Sequence, residues 1–277
     1  MPVRSALSAF LGVGESRLAA HHSSLTHSLG TDARGDCWIE KLWNAGERLL
    51  VNGQYCAARR ELEAAEAAAF HRRNAALLTR IYLPLLETCR QVRQLSTEGL
   101  ISIQVHRQGY RSVRAELNRF ESHGGGVLIS SAPAHGQMFA RRARVGSYPV
   151  ECLTLMRHGG QMRITSPHHP QYGSGLPLVW RPVEHAETLP ASPEQICIAL
   201  PPPGDYVPGM AGHSCAAESI ILLYEALALK QLHQWELPSG GWPLIAALRR
   251  IRLIDMACEP ITIRLLHEAE KLVAYSP

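Results

Sequence analysis

The chain has 277 residues, 46% of them apolar and 19% charged, with a net charge of +4. Such a length and composition suit a folded protein with a buried core of ordinary size, not a disordered or collagen-like chain. The small positive charge falls short of the basic footprint of a dedicated nucleic-acid binder, and no apolar run reaches the roughly 20 residues of a membrane helix.

The cationic side chains are almost all arginine, with lysine only at Lys41, Lys230 and Lys271. Arginine suits fixed pairing with carboxylates or phosphates better than lysine does, but biased codon usage is the favoured reading of the excess. The seven cysteines (Cys37, Cys56, Cys89, Cys152, Cys197, Cys215 and Cys258) are odd in number, widely spaced and free of any CxxC pair. That usage points to a reducing compartment and to thiols acting as small buried hydrophobes. The N-terminal MPVRSALSAFLGVGESRLAA has a short apolar patch but no clean cleavage site, so a cytoplasmic protein is expected.

Residues 1–35 read as a flexible tail, because HHSSLTHSLGTDARGD is polar and has no period. Its His21, His22 and His27 fit solvated side chains better than metal ligands. A helix begins near Cys37, with Ile39, Leu42, Trp43, Gly46, Leu49 and Leu50 recurring at three- and four-residue steps. Asn52-Gly53 supplies a turn. On a second helix Tyr55, Ala58, Leu62 and Ala65 share one face. Arg59, Arg60, Glu61, Glu63 and Glu66 fall largely on the other. Gly46 and Ala58 are small where two helix axes come close.

Gly46, Gly53, Tyr55, Ala58, Leu62 and Ala65 resemble the spacing of the tetratricopeptide repeat, a helical hairpin of about 34 residues. The likeness covers one repeat, residues 39–72. It departs from the pattern at Trp43, displaced by one position, and at the missing closing proline, near which Phe70 stands. The resemblance implies a protein-binding or packing module. Repeats of this kind need neighbours to bury their faces. The next helix, Ala75 to Gln94, is the expected neighbour, with Leu78, Ile81, Tyr82, Leu85, Leu86 and Cys89 on its apolar side and Pro84 expected to kink it.

After Gly99 the character changes. LISIQV (100–105) and VLIS (127–130) read as strands, with an amphipathic helix between them, and predict a crossover and a partly parallel sheet. SAPAHG (131–136) reads as a loop and Gln137 to Arg144 as a helix. ECLTLMR (151–157) and QMRITS (161–166) form a hairpin across Gly159-Gly160. Residues 167–212 are rich in proline and glycine and read as ordered loops, with short strands at Leu178 to Arg181 and Ile196 to Leu200. Three C-terminal helices follow: Ala216 to Leu232, Trp242 to Cys258, and a last one from Pro260 to Ala274.

Several constellations bear on chemistry. Gly212-His213-Ser214-Cys215-Ala216 resembles the GxSxG nucleophile elbow of the α/β-hydrolases, with Asp255 and His267 following in that family's chain order. Ala216 stands where that pattern has glycine, and Pro208 spoils the preceding strand. The competing reading is an N-cap in which Ser214 accepts the first amides of a helix. Asp255 shares a helical face with Leu244, Leu248, Ile251 and Cys258, so its carboxylate needs a partner: Arg249 and Arg252 are near in sequence, an arginine from elsewhere in the fold is the other option, and Glu259, one turn on, offers a carboxylate pair. A structural salt bridge or cap is the expectation, with an acid or base role as the alternative. SAPAHG, placed between a strand and a helix, and the His168-His169 pair of SPHHPQYG are candidate ligand loops, with His135 in the first. Neither offers the short fixed spacings of a metal site, so no metal and no cofactor are expected.

The sequence therefore predicts an α+β or α/β protein: a tail (1–35), a helical tetratricopeptide-like region (36–98) and a mixed-sheet domain capped by helices (99–277). The expected function is that of an interaction or scaffold protein whose partner is another protein, not nucleic acid or membrane. The alternatives are a hydrolase using Ser214, Asp255 and His267, and small-ligand binding at His135, His168 and His169.

Overall fold

A computed structural model describes residues 33–104, 113–130, 133–146, 148–158, 161–166, 176–181, 196–199, 206–208 and 214–275. The core, ion pairs and cavities given below all lie within the compact unit Ile39–Pro277.

The N-terminal hairpin consists of α1 (Ala33–Val51) and α2 (Tyr55–His71). Gly53 takes φ +73°, a left-handed value natural to glycine, in the turn between them. Gly46 lies so close to α2 that an added Cβ would stand 2.5 Å from Leu62 Cγ. The third helix, α3 (Ala75–Glu98), starts on Asn74, whose side chain accepts the Leu77 amide at 3.0 Å. It runs through Pro84, and Thr88 Oγ1 donates to the Pro84 carbonyl at 2.7 Å. Arg80 ties α3 back to α1, bonding Glu40 at 3.1 Å and lying 3.8 Å from the centre of the Trp43 ring.

Strand β1 (Leu100–Gln104) pairs in parallel with β2 (Gly126–Ser130), and β2 pairs in parallel with β3 (Val150–His158). Helices α4 (Val113–Glu121) and α5 (Pro133–Val145) make the two crossovers. Side chains alternate across β2 as strand geometry requires. Val127 and Ile129, with Leu153 of β3, enter a core shared with the helices. Leu128 and Cys152 face the other way, towards Phe120 of α4 and Phe139 of α5. Backbone pairing continues past β3 to β4 (Gln161–Thr165), β5 (Leu176–Arg181) and β6 (Ile196–Ala199), and past β1 to β7 (Tyr206–Pro208). The chain ends in α6 (Ser214–Gln234), α7 (Gly241–Arg252) and α8 (Glu259–Ala274). One core gathers Ile39, Leu62, Tyr82, Tyr224, Leu248 and Leu265, so the hairpin, α3 and the C-terminal helices share a single interior. Among the described residues no helix is long and apolar enough to cross a membrane.

The expected class, α+β or α/β with a mixed-sheet domain, is corrected. Where side chains are described, 75% of residues are helical, and the strands reduce to the parallel pair β2 and β3. The physical reason is the shared core. The inner face of that pair is covered by helices from both ends of the chain, so the strands are a component of a helical body. Three local expectations also change. SAPAHG is not a loop up to Gly136, because α5 already begins at Pro133, where proline suits a first helical turn. The helix expected to reach Cys258 stops at Arg252. Arg59 and Glu66, placed on the polar face of the second helix, are both buried.

Candidate functional site

Three helices and the segment before the last of them converge on one cavity of about 380 Å³. From α3 come Arg90, Arg93 and Gln94, which share a helical face at steps of three and four. From α6 come Ile221 and Glu225, one turn apart. The segment joining α7 to α8 adds Asp255 and Ala257, and Glu259 opens α8.

The joining segment positions Asp255 by backbone bonding. The helix α7 closes with the Ile254 amide donating to the Ile251 carbonyl at 2.9 Å. The Ala257 amide then donates to Asp255 Oδ1 at 2.8 Å, a side-chain turn typical of aspartate. Cys258, its amide bonded to the Asp255 carbonyl at 3.2 Å, is buried as the residue before α8, and Glu259 with Pro260 suits the first turn.

Asp255 is 1% exposed and Arg93 5% exposed. Arg93 Nη1 stands 2.5 Å from Asp255 Oδ1, and its guanidinium lies 4.4 Å from the centre of the Tyr224 ring. Tyr224 in turn donates its hydroxyl to the Cys152 carbonyl at 2.7 Å, tying α6 to β3. The second oxygen, Asp255 Oδ2, is buried without a hydrogen-bond partner among the described residues, as is Arg93 Nε. Burial pushes the Asp255 carboxyl above its ordinary range, and Arg93 and the Ala257 amide only partly offset it. Glu225 is half-buried and has no hydrogen bond or ion pair among the described residues. At the rim, Arg90 Nη2 bonds Glu259 Oε2.

Two further charge clusters hold elements together without opening on this cavity. Glu66 of α2 takes Arg249 at 2.6 and 2.8 Å and Arg252 Nη2 at 2.9 Å, both from α7. Burial alone would raise Glu66, but Arg252 and Arg249 outweigh it and hold the carboxyl below its ordinary range. Arg59 of α2 meets Glu151 of β3 at 3.5 Å, beside a second cavity of about 40 Å³ that also touches Arg93 and Tyr224.

The expected site residues are placed as follows. Ser214 is the first residue of α6, and its side chain lies outside the described ones. Asp255 is engaged by Arg93 and Ala257, whereas His267 lies on the exposed face of α8. No hydrogen bond joins Asp255 to His267. His135 sits in the first turns of α5 with its side chain outside the described residues, and His168 and His169 lie outside them altogether. Among the described residues no cluster of histidine, cysteine, aspartate or glutamate is arranged to hold a metal ion. The salt-bridge expectation for Asp255 is met, by an arginine 162 positions earlier in the chain and not by Arg249 or Arg252. Sequence reasoning missed Arg93, yet it follows Cys89 by one turn and so lies on the apolar stripe of α3, the same signal that singled out Asp255.

No protein-family model, no curated protein and no solved structure matches this chain.

Proposed function

We propose that the protein binds a small polar ligand in the cavity between α3, α6 and the α7–α8 junction. The observation that carries this reading is Asp255. Asp255 borders the cavity, one of its oxygens engaged by Arg93 and the Ala257 amide and the other, Oδ2, buried without a partner among the described residues. Leaving a buried acceptor unpaired costs about 1–3 kcal/mol, so a ligand donor that reaches it gains that much over a dry wall. The volume lies within the usual few hundred cubic ångströms of small-molecule sites. The lining is charged and amide-bearing, which favours a polar occupant over a lipid-like one.

The hairpin is not the surface we assign to a partner. The face of α2 that would line a groove carries Ala58, Leu62, Ala65 and Ala69, and all four are buried in the protein's own interior. Nor do we assign hydrolysis to Ser214, Asp255 and His267, since Asp255 already serves Arg93 and the Ala257 amide.

The test is a thermal-shift screen of the full chain against small ammonium salts, carboxylates, zwitterionic amino acids and neutral polyols, run beside Ala257→Phe. The phenylalanine fills the cavity but keeps the backbone amide that Asp255 needs. A saturable rise in melting temperature with at least one class, lost in A257F, is expected. No rise with any class, or one that persists in A257F, overturns the reading.

A further inference from the structure

We propose that the outer face of α5 is a docking surface for an acidic, amphipathic segment of a partner protein, a role separate from the cavity.

The helix packs on one side. Phe139 and Ala143 are fully buried, and Phe139 meets Phe120 of α4 edge to face at 5.8 Å. Both α5 residues enter the small core over Leu128 and Cys152. The opposite side carries Met138, Arg141, Arg142 and Val145, at steps of three, four and seven from Met138, so the four share one face. All four are exposed, Met138 at 44% and Val145 at 71%. The stripe is two guanidiniums with an apolar side chain a turn to either side.

Its charge is unbalanced. α5 holds Arg141, Arg142 and Arg144 and no acidic residue, whereas α4 beside it holds two arginines and two glutamates. Three positive charges on 13 residues stand against a net charge of +4 for the whole chain. Arg144 is drawn aside to Glu63 of α2 at 3.7 Å, and Arg141 and Arg142 remain on the outer face. The helix dipole favours basic side chains in a last turn. That accounts for Arg142 and Arg144, but not for Arg141 or for the exposed Val145.

Composition selects the partner. Arginine and methionine are enriched at protein–protein contacts and lysine is depleted, and α5 has arginine and methionine and no lysine. Arginine pairs with carboxylates through a fixed two-pronged fork. The complementary ligand therefore places carboxylates between two apolar anchors at helical spacing. A nucleic-acid strand calls for exposed aromatic rings to stack on, and the aromatic side chains of α4 and α5, Phe120 and Phe139, are fully buried. A membrane surface calls for a broad apolar face, and this stripe offers two apolar side chains.

The experiment uses the full chain and a fluorescein-labelled peptide of about four helical turns, built from glutamate, alanine and leucine as an amphipathic helix. Fluorescence anisotropy at physiological ionic strength reports binding. Saturable binding is expected. Arg141→Glu with Arg142→Glu should weaken it at least tenfold and keep the wild-type melting temperature, because both side chains are exposed. R72E/R250E changes the net charge equally through two exposed arginines elsewhere and should leave binding within twofold. Met138→Ser with Val145→Ser should weaken it at least threefold. The same peptide with lysine for glutamate should not bind. No binding of the acidic peptide, or an equal loss in R72E/R250E, overturns the proposal. Preferential binding of poly(U) or of phosphatidylserine vesicles also overturns it. A dimer of the chain that R141E/R142E dissolves would give the face to a second copy and overturn it too. A257F should leave peptide binding unchanged, so the cavity reading and this one fail separately.

Discussion

Arg93 and Asp255 meet at 2.5 Å where neither side chain is more than 6% exposed, and they join α3 to the α7–α8 junction across 162 positions of chain. Such a pair does not add stability simply by existing, because both charges must leave water. Its consequence is asymmetric: either partner alone is a buried, uncompensated charge. Arg93→Met should cost about 3–5 kcal/mol in urea unfolding at neutral pH. Asp255→Leu should cost a similar amount, since Arg93 then lies buried over Tyr224 with no carboxylate. The double variant R93M/D255L should be distinctly more stable than the two single losses added together predict. Strict additivity in that cycle would show that the two residues do not depend on each other.

The two buried carboxylates should give opposite pH signatures. Glu66 is held below its ordinary range by Arg252 and Arg249. Its contribution is therefore complete above the ordinary carboxylate value, and it is lost as the pH falls from there through the lowered folded value. Asp255 is pushed above its ordinary range by burial. The folded state then takes up a proton before the unfolded state does, so this group's contribution to stability rises as the pH falls through the raised folded value. Unfolding free energies measured between pH 7 and pH 3 should separate them. Glu66→Gln should flatten the acid-side loss of stability. Asp255→Asn should steepen it, because the compensating uptake is gone. The reverse pattern would mean that the two environments are misassigned.

The hairpin and the last helix were the most legible parts of the chain, and for local reasons. Asn52-Gly53 marks a turn that only a left-handed residue closes well, and Pro260 marks a helix start. What stayed hidden was tertiary. The apolar stripe Leu244, Leu248 and Ile251 continues in register to Asp255 and Cys258, so spacing alone extends α7 by six residues. The chain instead turns at Leu253 and Ile254 and buries the same stripe with a break in it. Arg59 and Glu66 look like a polar face because their partners, Glu151, Arg249 and Arg252, lie far away in sequence. The site was half visible. Asp255 stood out as a charge on an apolar face, but only contact shows that Arg93 answers one of its oxygens and that the other is buried without a partner among the described residues.

Gly46 of α1 lies directly against Leu62 of α2. A Cβ at Gly46 would meet Leu62 Cγ at 2.5 Å and Cδ2 at 2.8 Å, with the Leu62 backbone nitrogen at 3.4 Å. Alanine in place of a helical glycine would by itself stabilise α1 by roughly 0.5–1 kcal/mol. Against that, Leu62 is fully buried in the main core, among side chains that must shift if it moves. Overpacking of this kind costs about 1–3 kcal/mol. The clash should win, so Gly46→Ala should lower stability by about 1 kcal/mol, and at most about 2.5 kcal/mol, in denaturant unfolding, the overpacking cost less the helix gain. Leu62→Ala alone should cost about 2–5 kcal/mol as a cavity. The double variant G46A/L62A should recover part of that loss, because the new methyl occupies space that Leu62 vacates. If Gly46→Ala instead proves stabilising, the two helices do not approach as closely as Gly46 and Leu62 indicate.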